Sequence, residues 1–300
     1  MVIIMDTNIV IQKEKPFIDK ICDEYGYDNN IRHLLYIIIP AFIIKYGINK
    51  EKLILNTFRN IRIVVSEERN KYIKAYYSSK PYKDNNKVKT YKCMVLQNYS
   101  DTDLVGLIDN LVHEFNHAVN SYVEEVKIGK KYVYLRTGLT YRIYNRDDLT
   151  FIKKDKSYML EEIINTKQTE EIINIIKGFD KDNNTIYAIN SETNHNYNSK
   201  SYYLESHICR EILDNRTFYN TLCNLRLNGE VYNIDKWFDD ITGREGSYKE
   251  LITLLEDIYN LELEYVNKKL FKGIIMNKIR DKSRLIMNII KTFDSNVNFR

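Results

Sequence analysis

The sequence predicts an α+β fold, predominantly helical, and three observations carry that expectation. Short β-rich runs are confined to the first half of the chain, at 2–5, 61–66 and 87–97, with a hairpin-like stretch at 131–144. Beyond residue 200 the apolar spacing is that of helices, at 203–213, 217–227, 248–270 and 276–292. Between the two lies the clearest amphipathic helix of the chain, 102–122. The expectation is therefore one domain over residues 1–300. It has a small mixed sheet region in 1–125, a larger helical part in 126–300, and that helix where they meet.

The remaining elements follow in order. Segments 17–25 and 51–60 read as helices between the first strands, and 79–87, with Pro81 and Asp84-Asn85-Asn86, reads as a turn or loop. Strand-like 131–136 and 139–144 flank a turn at Thr137-Gly138. Segment 157–177 is helical again, stopped by Gly178, and the polar stretch 181–200 reads as a long surface loop.

Composition excludes several classes. Apolar residues make up 44% and charged residues 29%, enough for a sizeable core and too ordered for a disordered chain. Three prolines and ten glycines exclude collagen-like and Pro-rich architectures. No apolar run approaches the ~20 residues of a membrane helix, and the start lacks the order of a secretory signal. The expected setting is cytoplasmic, with Cys22, Cys93, Cys209 and Cys223 reduced rather than paired. Forty-five basic against 41 acidic residues give +4, spread without an arginine-rich block, so nucleic acid is not indicated by the charge balance. No membrane partner is expected, and the oligomeric state is not readable.

The chemistry concentrates in His113-Glu114-Phe115-Asn116-His117, an HExxH motif. Residues four apart on a helix sit nearly one above the other, so both imidazoles can bind one Zn²⁺ from one face. Glu114 falls beside them, where it can take a proton from a water activated at the metal. With His113 at 0° and about 100° per residue, Leu104, Ile108, Leu111, Phe115, Ala118, Val119 and Tyr122 fall between roughly 140° and 240°. Gly106, Asn110, His117 and Asn120 cluster within about 60° of His113. A histidine serving only the core more often lies on the apolar stripe, so the arrangement favours ligands.

A catalytic zinc usually has three protein ligands. The continuation with Gly and His at positions 120 and 123 is absent, since these are Asn120 and Val123. A carboxylate from a later helix is the other solution, and Glu161-Glu162 supplies it inside an otherwise apolar segment. Neighbours on a helix diverge by about 100°, so only one of the two can face the metal. The competing reading is a solvated acidic pair favoured by the helix N-terminus.

On these residues the chain resembles the gluzincin type of zinc metallopeptidases, which carry HExxH on one helix and a Glu ligand on a following one. Leu160-Glu161-Glu162-Ile163-Ile164-Asn165-Thr166 looks like a diverged second element, and also like the corresponding segment of clostridial neurotoxin light chains. The resemblance covers about 87–178 and implies a zincin-like fold, a polypeptide substrate, and Zn²⁺ held by His113, His117 and Glu162, with Glu161 as the alternative third ligand. It also implies Glu114 as general base, 87–97 as the substrate-lining edge strand, and an oxyanion donor beyond the third ligand. Candidates for that donor are Tyr202, favoured here, with Tyr203, His207, Arg210 and His195. Two positions depart from the pattern: Asn110 stands where Val or Thr is usual, and Thr166 replaces the acidic partner that orients a ligand.

Two rivals stand beside this reading. The opening segment 2–8, with Asp6, and 37–40 look like the start of a PIN-type ribonuclease, which needs several carboxylates around Mg²⁺ or Mn²⁺. Asp103 and Asp147-Asp148 are later candidates, but Lys45 and Tyr46 stand where the next Glu belongs. The second is a metal-stabilised binding protein without turnover, against which Glu114 argues, because a structural zinc needs no general base.

Overall fold

Asp28 opens a long apolar helix by accepting a hydrogen bond from the Ile31 amide at 2.8 Å. This is α2 (Asn29–Tyr46), which packs against α1 (Thr7–Tyr25). Leu34, Leu35, Ile38, Ile39 and Phe42 of α2 are at most 2% exposed, so the apolar residues around Pro40 form a buried core helix. The computed structural model describes residues 7–68, 75–85, 87–102, 104–121, 126–155, 157–179, 213–229, 231, 234–267 and 272–297. These show an α+β protein, mostly helical, with two small sheets. No single helix among them is long and apolar enough to cross a membrane. The described residues gather into two compact units, 7–121 with 168–179, and 126–167 with 213–297.

In the first unit, α3 (Glu51–Arg59) leads into a three-stranded sheet of β1 (Arg62–Ser66), β2 (Ala75–Asp84) and β3 (Lys87–Gln97). The order is β1-β3-β2, with β1 parallel and β2 antiparallel to β3. Helix α4 (Leu104–Val119) follows. The Phe115 ring lies 4.1 Å from that of Phe58, and Phe58 meets Phe42 edge-on at 5.5 Å. Buried aromatic packing of this kind fixes the rotation of α4 about its axis.

Two sequence expectations change here. Residues 79–84 are not loop but the second half of β2, a long edge strand. The Tyr77 amide points away from β3, toward Glu114. In an antiparallel pair such positions recur every second residue, so Pro81 also falls where no ladder amide is needed. The other correction concerns 87–97, which is the central strand, paired with β2 along most of its length and with β1 over 93–97; β2 is the edge that runs along α4.

The second unit opens with an antiparallel sheet in the order β4 (Val126–Ile128), β5 (Tyr132–Thr137), β6 (Thr140–Asn145), β7 (Phe151–Lys154). The β5–β6 turn lies where the sequence places it, with Gly138 at φ +56°. Helix α5 (Tyr158–Phe179) begins in this unit and ends in the other, running through Gly178 rather than stopping before it. A long continuous helix tolerates one glycine at a cost of about 1 kcal/mol. The helices α6 (Arg216–Asn228), α7 (Ile234–Thr242), α8 (Ser247–Asn267) and α9 (Lys272–Val297) complete the unit. Their core joins Leu139, Met159, Leu160, Ile163 and Ile164 to Phe218, Leu222, Phe238, Leu251, Leu255 and Ile258. The helix expected at 203–213 lies almost wholly outside the described residues, as do segments 2–5 and 181–200.

Asp239 of α7 closes the start of α8. It accepts from the amides of Gly246 (2.6 Å) and Tyr248 (2.9 Å) and from the Ser247 hydroxyl (2.9 Å). Burial alone would raise this carboxyl, but these donors outweigh it and hold it below the usual carboxylate range. A lowered folded pKa gives stability that is present above the unfolded value of about 4 and is lost as pH falls below it. Asp239→Ala is expected to cost about 1 kcal/mol at pH 7. Urea denaturation should show the difference shrinking as pH falls below about 4.

Candidate metal centre

The HExxH residues occupy the last two turns of α4. The spacing of four places the rings of His113 and His117 5.0 Å apart, at 80° to each other. His117 is 5% exposed and Glu114 8%, while His113 is half-buried. The apolar stripe read from the sequence is in the core, with Ile108, Leu111, Phe115, Ala118 and Val119 all buried. The polar side is buried as well, since Asn116 and Asn120 are 0% exposed. Buried amides need partners. Tyr46 of α2 donates to Asn116 Oδ1, Asn120 Nδ2 donates to the Tyr46 hydroxyl at 2.9 Å, and Asn116 Nδ2 donates to Gln168 Oε1 of α5 at 3.3 Å. That network ties α4 to the second half of α5 from the residue just before His117.

Glu162 lies six residues before Gln168 on the same continuous helix. One donor atom each from His113, His117 and Glu162 lie within 4.8 Å of one another, a group that could hold a metal ion. Ligands bound at 2.0–2.1 Å in a tetrahedron stand about 3.3 Å apart, which falls inside that limit. Two nitrogens and one carboxylate oxygen suit a borderline-soft cation better than Mg²⁺ or Ca²⁺, which take oxygen donors.

Glu161 points elsewhere. It is 1% exposed and receives Arg226 Nε at 2.8 Å, a second bond from Arg226 Nη2, and the Leu139 amide at 2.8 Å. Arg226, 0% exposed, also donates to Asn165 Oδ1 at 3.0 Å. The turn comes so close that a Cβ at Gly138 would lie 2.0 Å from Glu161 Oε2. With Glu161 held inward, the ~100° step to its neighbour carries Glu162 to another face.

Glu114 Oε2 accepts the Tyr77 amide at 2.6 Å, so the edge strand fixes the carboxylate of the residue that follows His113. Asp109, passed over in the sequence, stands one turn before His113 and is electrostatically coupled to both His113 and Glu114. Burial raises its carboxyl, His113 opposes the rise and Glu114 adds to it. The signal was the line 109-113-117 at helical spacing. Lys154 of β7 lies 4.3 Å over the Tyr158 ring, and desolvation lowers its ammonium against the pull of Glu162.

Thr166 is 1% exposed, and its hydroxyl has no hydrogen-bond partner among the described residues. Asn110 is half-buried on α4. Tyr202, Tyr203, His207, Arg210 and His195 lie outside the described residues, as do Asp6 and Asp103. Residues 37–40 are interior to α2. Asp147 and Asp148 sit in the exposed turn after β6, where Asp148 accepts from Thr150. Compared with known proteins, the chain matches no family model, no curated protein and no solved structure.

Proposed function

We propose that this protein is a zinc-dependent metallopeptidase of the gluzincin type, acting on a polypeptide substrate. The observation that carries the reading is the convergence of His113, His117 and Glu162 beside a nearly buried Glu114. In this reading the three side chains hold Zn²⁺ and leave the fourth position open. Zinc, when bound, polarises the scissile carbonyl and acidifies the attacking water. Glu114 accepts the proton of that water and returns it to the leaving amine, its orientation kept by the Tyr77 amide. Tyr202 is the proposed donor to the developing oxyanion.

Metal analysis and cleavage of an unfolded polypeptide test this together. The parent chain is expected to hold one zinc and to release peptides, with both properties lost on chelation. His113→Ala and Glu162→Ala are each expected to lose stoichiometric zinc while keeping their circular dichroism. A His113→Ala chain that still retains one tightly bound zinc contradicts the ligand set. A zinc-loaded parent chain that cleaves nothing leaves the inert binding protein instead.

A further inference from the structure

The charge balance looks even along the chain, but the strand register shows it is not. Between residues 80 and 92 stand five lysines (Lys80, Lys83, Lys87, Lys89 and Lys92) and a single acid, Asp84. That excess of four equals the net charge of the whole protein, so the other residues sum to neutral. The segment is the outer half of the β2–β3 hairpin. β1 pairs only with residues 93–97 of β3, so 79–84 and 87–92 continue past it as a two-stranded ribbon.

One face of this ribbon alternates two kinds of side chain. Lys80 stands opposite Tyr91, Tyr82 opposite Lys89, and Asp84 opposite Lys87. Directly paired residues share a face, so tyrosines and lysines form a chequered surface. Tyr82 is 44% exposed and Tyr91 50%, and neither hydroxyl has a hydrogen-bond partner among the described residues. Lys89 pairs with Asp84, whereas Lys80 and Lys87 have no ion-pair partner among the described residues. Toward the other end the same face turns apolar, with Val64, Val95 and Tyr76 aligned across the sheet. Arg62 of β1, opposite Cys93, adds an exposed cation to this face where the ribbon joins the sheet, and Glu67 and Glu68 follow β1 at the far end.

We propose that this ribbon binds single-stranded nucleic acid. Phosphates lie along Lys80, Lys87 and Lys89, the lysines of the tyrosine face, and bases stack on Tyr82 and Tyr91; Lys83 and Lys92 stand on the opposite face. A positive track with exposed aromatic platforms is what an unpaired strand requires, because every base offers a π-face. A partner with a purely apolar face would leave Lys80 and Lys87 desolvated, and a paired duplex would present no free base to the tyrosines. None of these residues belongs to the His113, His117 and Glu162 group, and the inference stands without the peptidase reading.

Fluorescence anisotropy with a labelled 12-nucleotide oligouridylate and the full chain tests it. Three or four phosphate contacts give a slope of log affinity against log salt of roughly −2 to −3. Tyr82→Ala and Tyr91→Ala are each expected to weaken binding about fivefold or more without changing charge. Lys80→Ser with Lys87→Ser is expected to flatten the slope by about 1.4. Zinc content and circular dichroism should be the same in all variants. Absence of binding at 50 mM salt overturns the proposal. So does affinity that is indifferent to both tyrosines or equal for a duplex of the same length, and so does self-association that disappears with the tyrosine variants.

Discussion

Glu114→Gln is expected to retain one zinc per chain and to lose peptide cleavage by about 10²–10⁴-fold. The amide is close in shape to the carboxylate, and its oxygen can still accept the Tyr77 amide now held at 2.6 Å. Edge strand, helix and ligands therefore stay in place, and what disappears is the capacity to take up a proton. Zinc analysis and single-turnover cleavage on the same preparation check both halves. Undiminished cleavage by Glu114→Gln would remove this residue from the chemistry, even if the metal proved correct.

The second large effect concerns stability. Glu161→Ala strands the Arg226 guanidinium, 0% exposed, with Asn165 and without its carboxylate. Removing one partner of a buried ion pair typically costs 3–5 kcal/mol, so urea unfolding should show a loss of about that size. Glu161→Leu combined with Arg226→Met removes both charges and should recover much of it. Glu162→Ala, one residue away, is expected to unfold nearly like the parent chain in the absence of metal. Two adjacent glutamates thus separate into a stability phenotype and a metal phenotype, and equal stability losses at both positions would contradict the assignment.

The sequence carried the first part of the site plainly because it is local. Spacing on one helix is enough to bring His113, Glu114 and His117 together. The choice between Glu161 and Glu162 was not local. It depends on Arg226, 65 residues further on, and on a turn at Gly138 tight enough to exclude a Cβ. The pattern at Asp109 was readable at the same helical spacing and was passed over because no motif contains it. β2 was misread for a different reason. Pro81, Asp84 and Asn85 have turn composition, and only the pairing with β3 shows which side of the strand the proline faces. The α+β, mostly helical character was legible because the long helices of the C-terminal half are periodic over many turns, whereas three- and four-residue strands such as β4 and β7 carry too few residues to show a period.

The position of Pro81 has a consequence for how these molecules keep apart. An unsheathed strand margin invites a second chain to lie alongside it and begin a growing stack. On β2 the inner stretch of that margin is occupied where Tyr77 meets Glu114, and further out Pro81 offers an incoming strand a ring instead of a donor. Lys83 continues the same margin with a charge. The hairpin can therefore project into solvent as a long, sticky-looking arm without seeding filaments of its own kind.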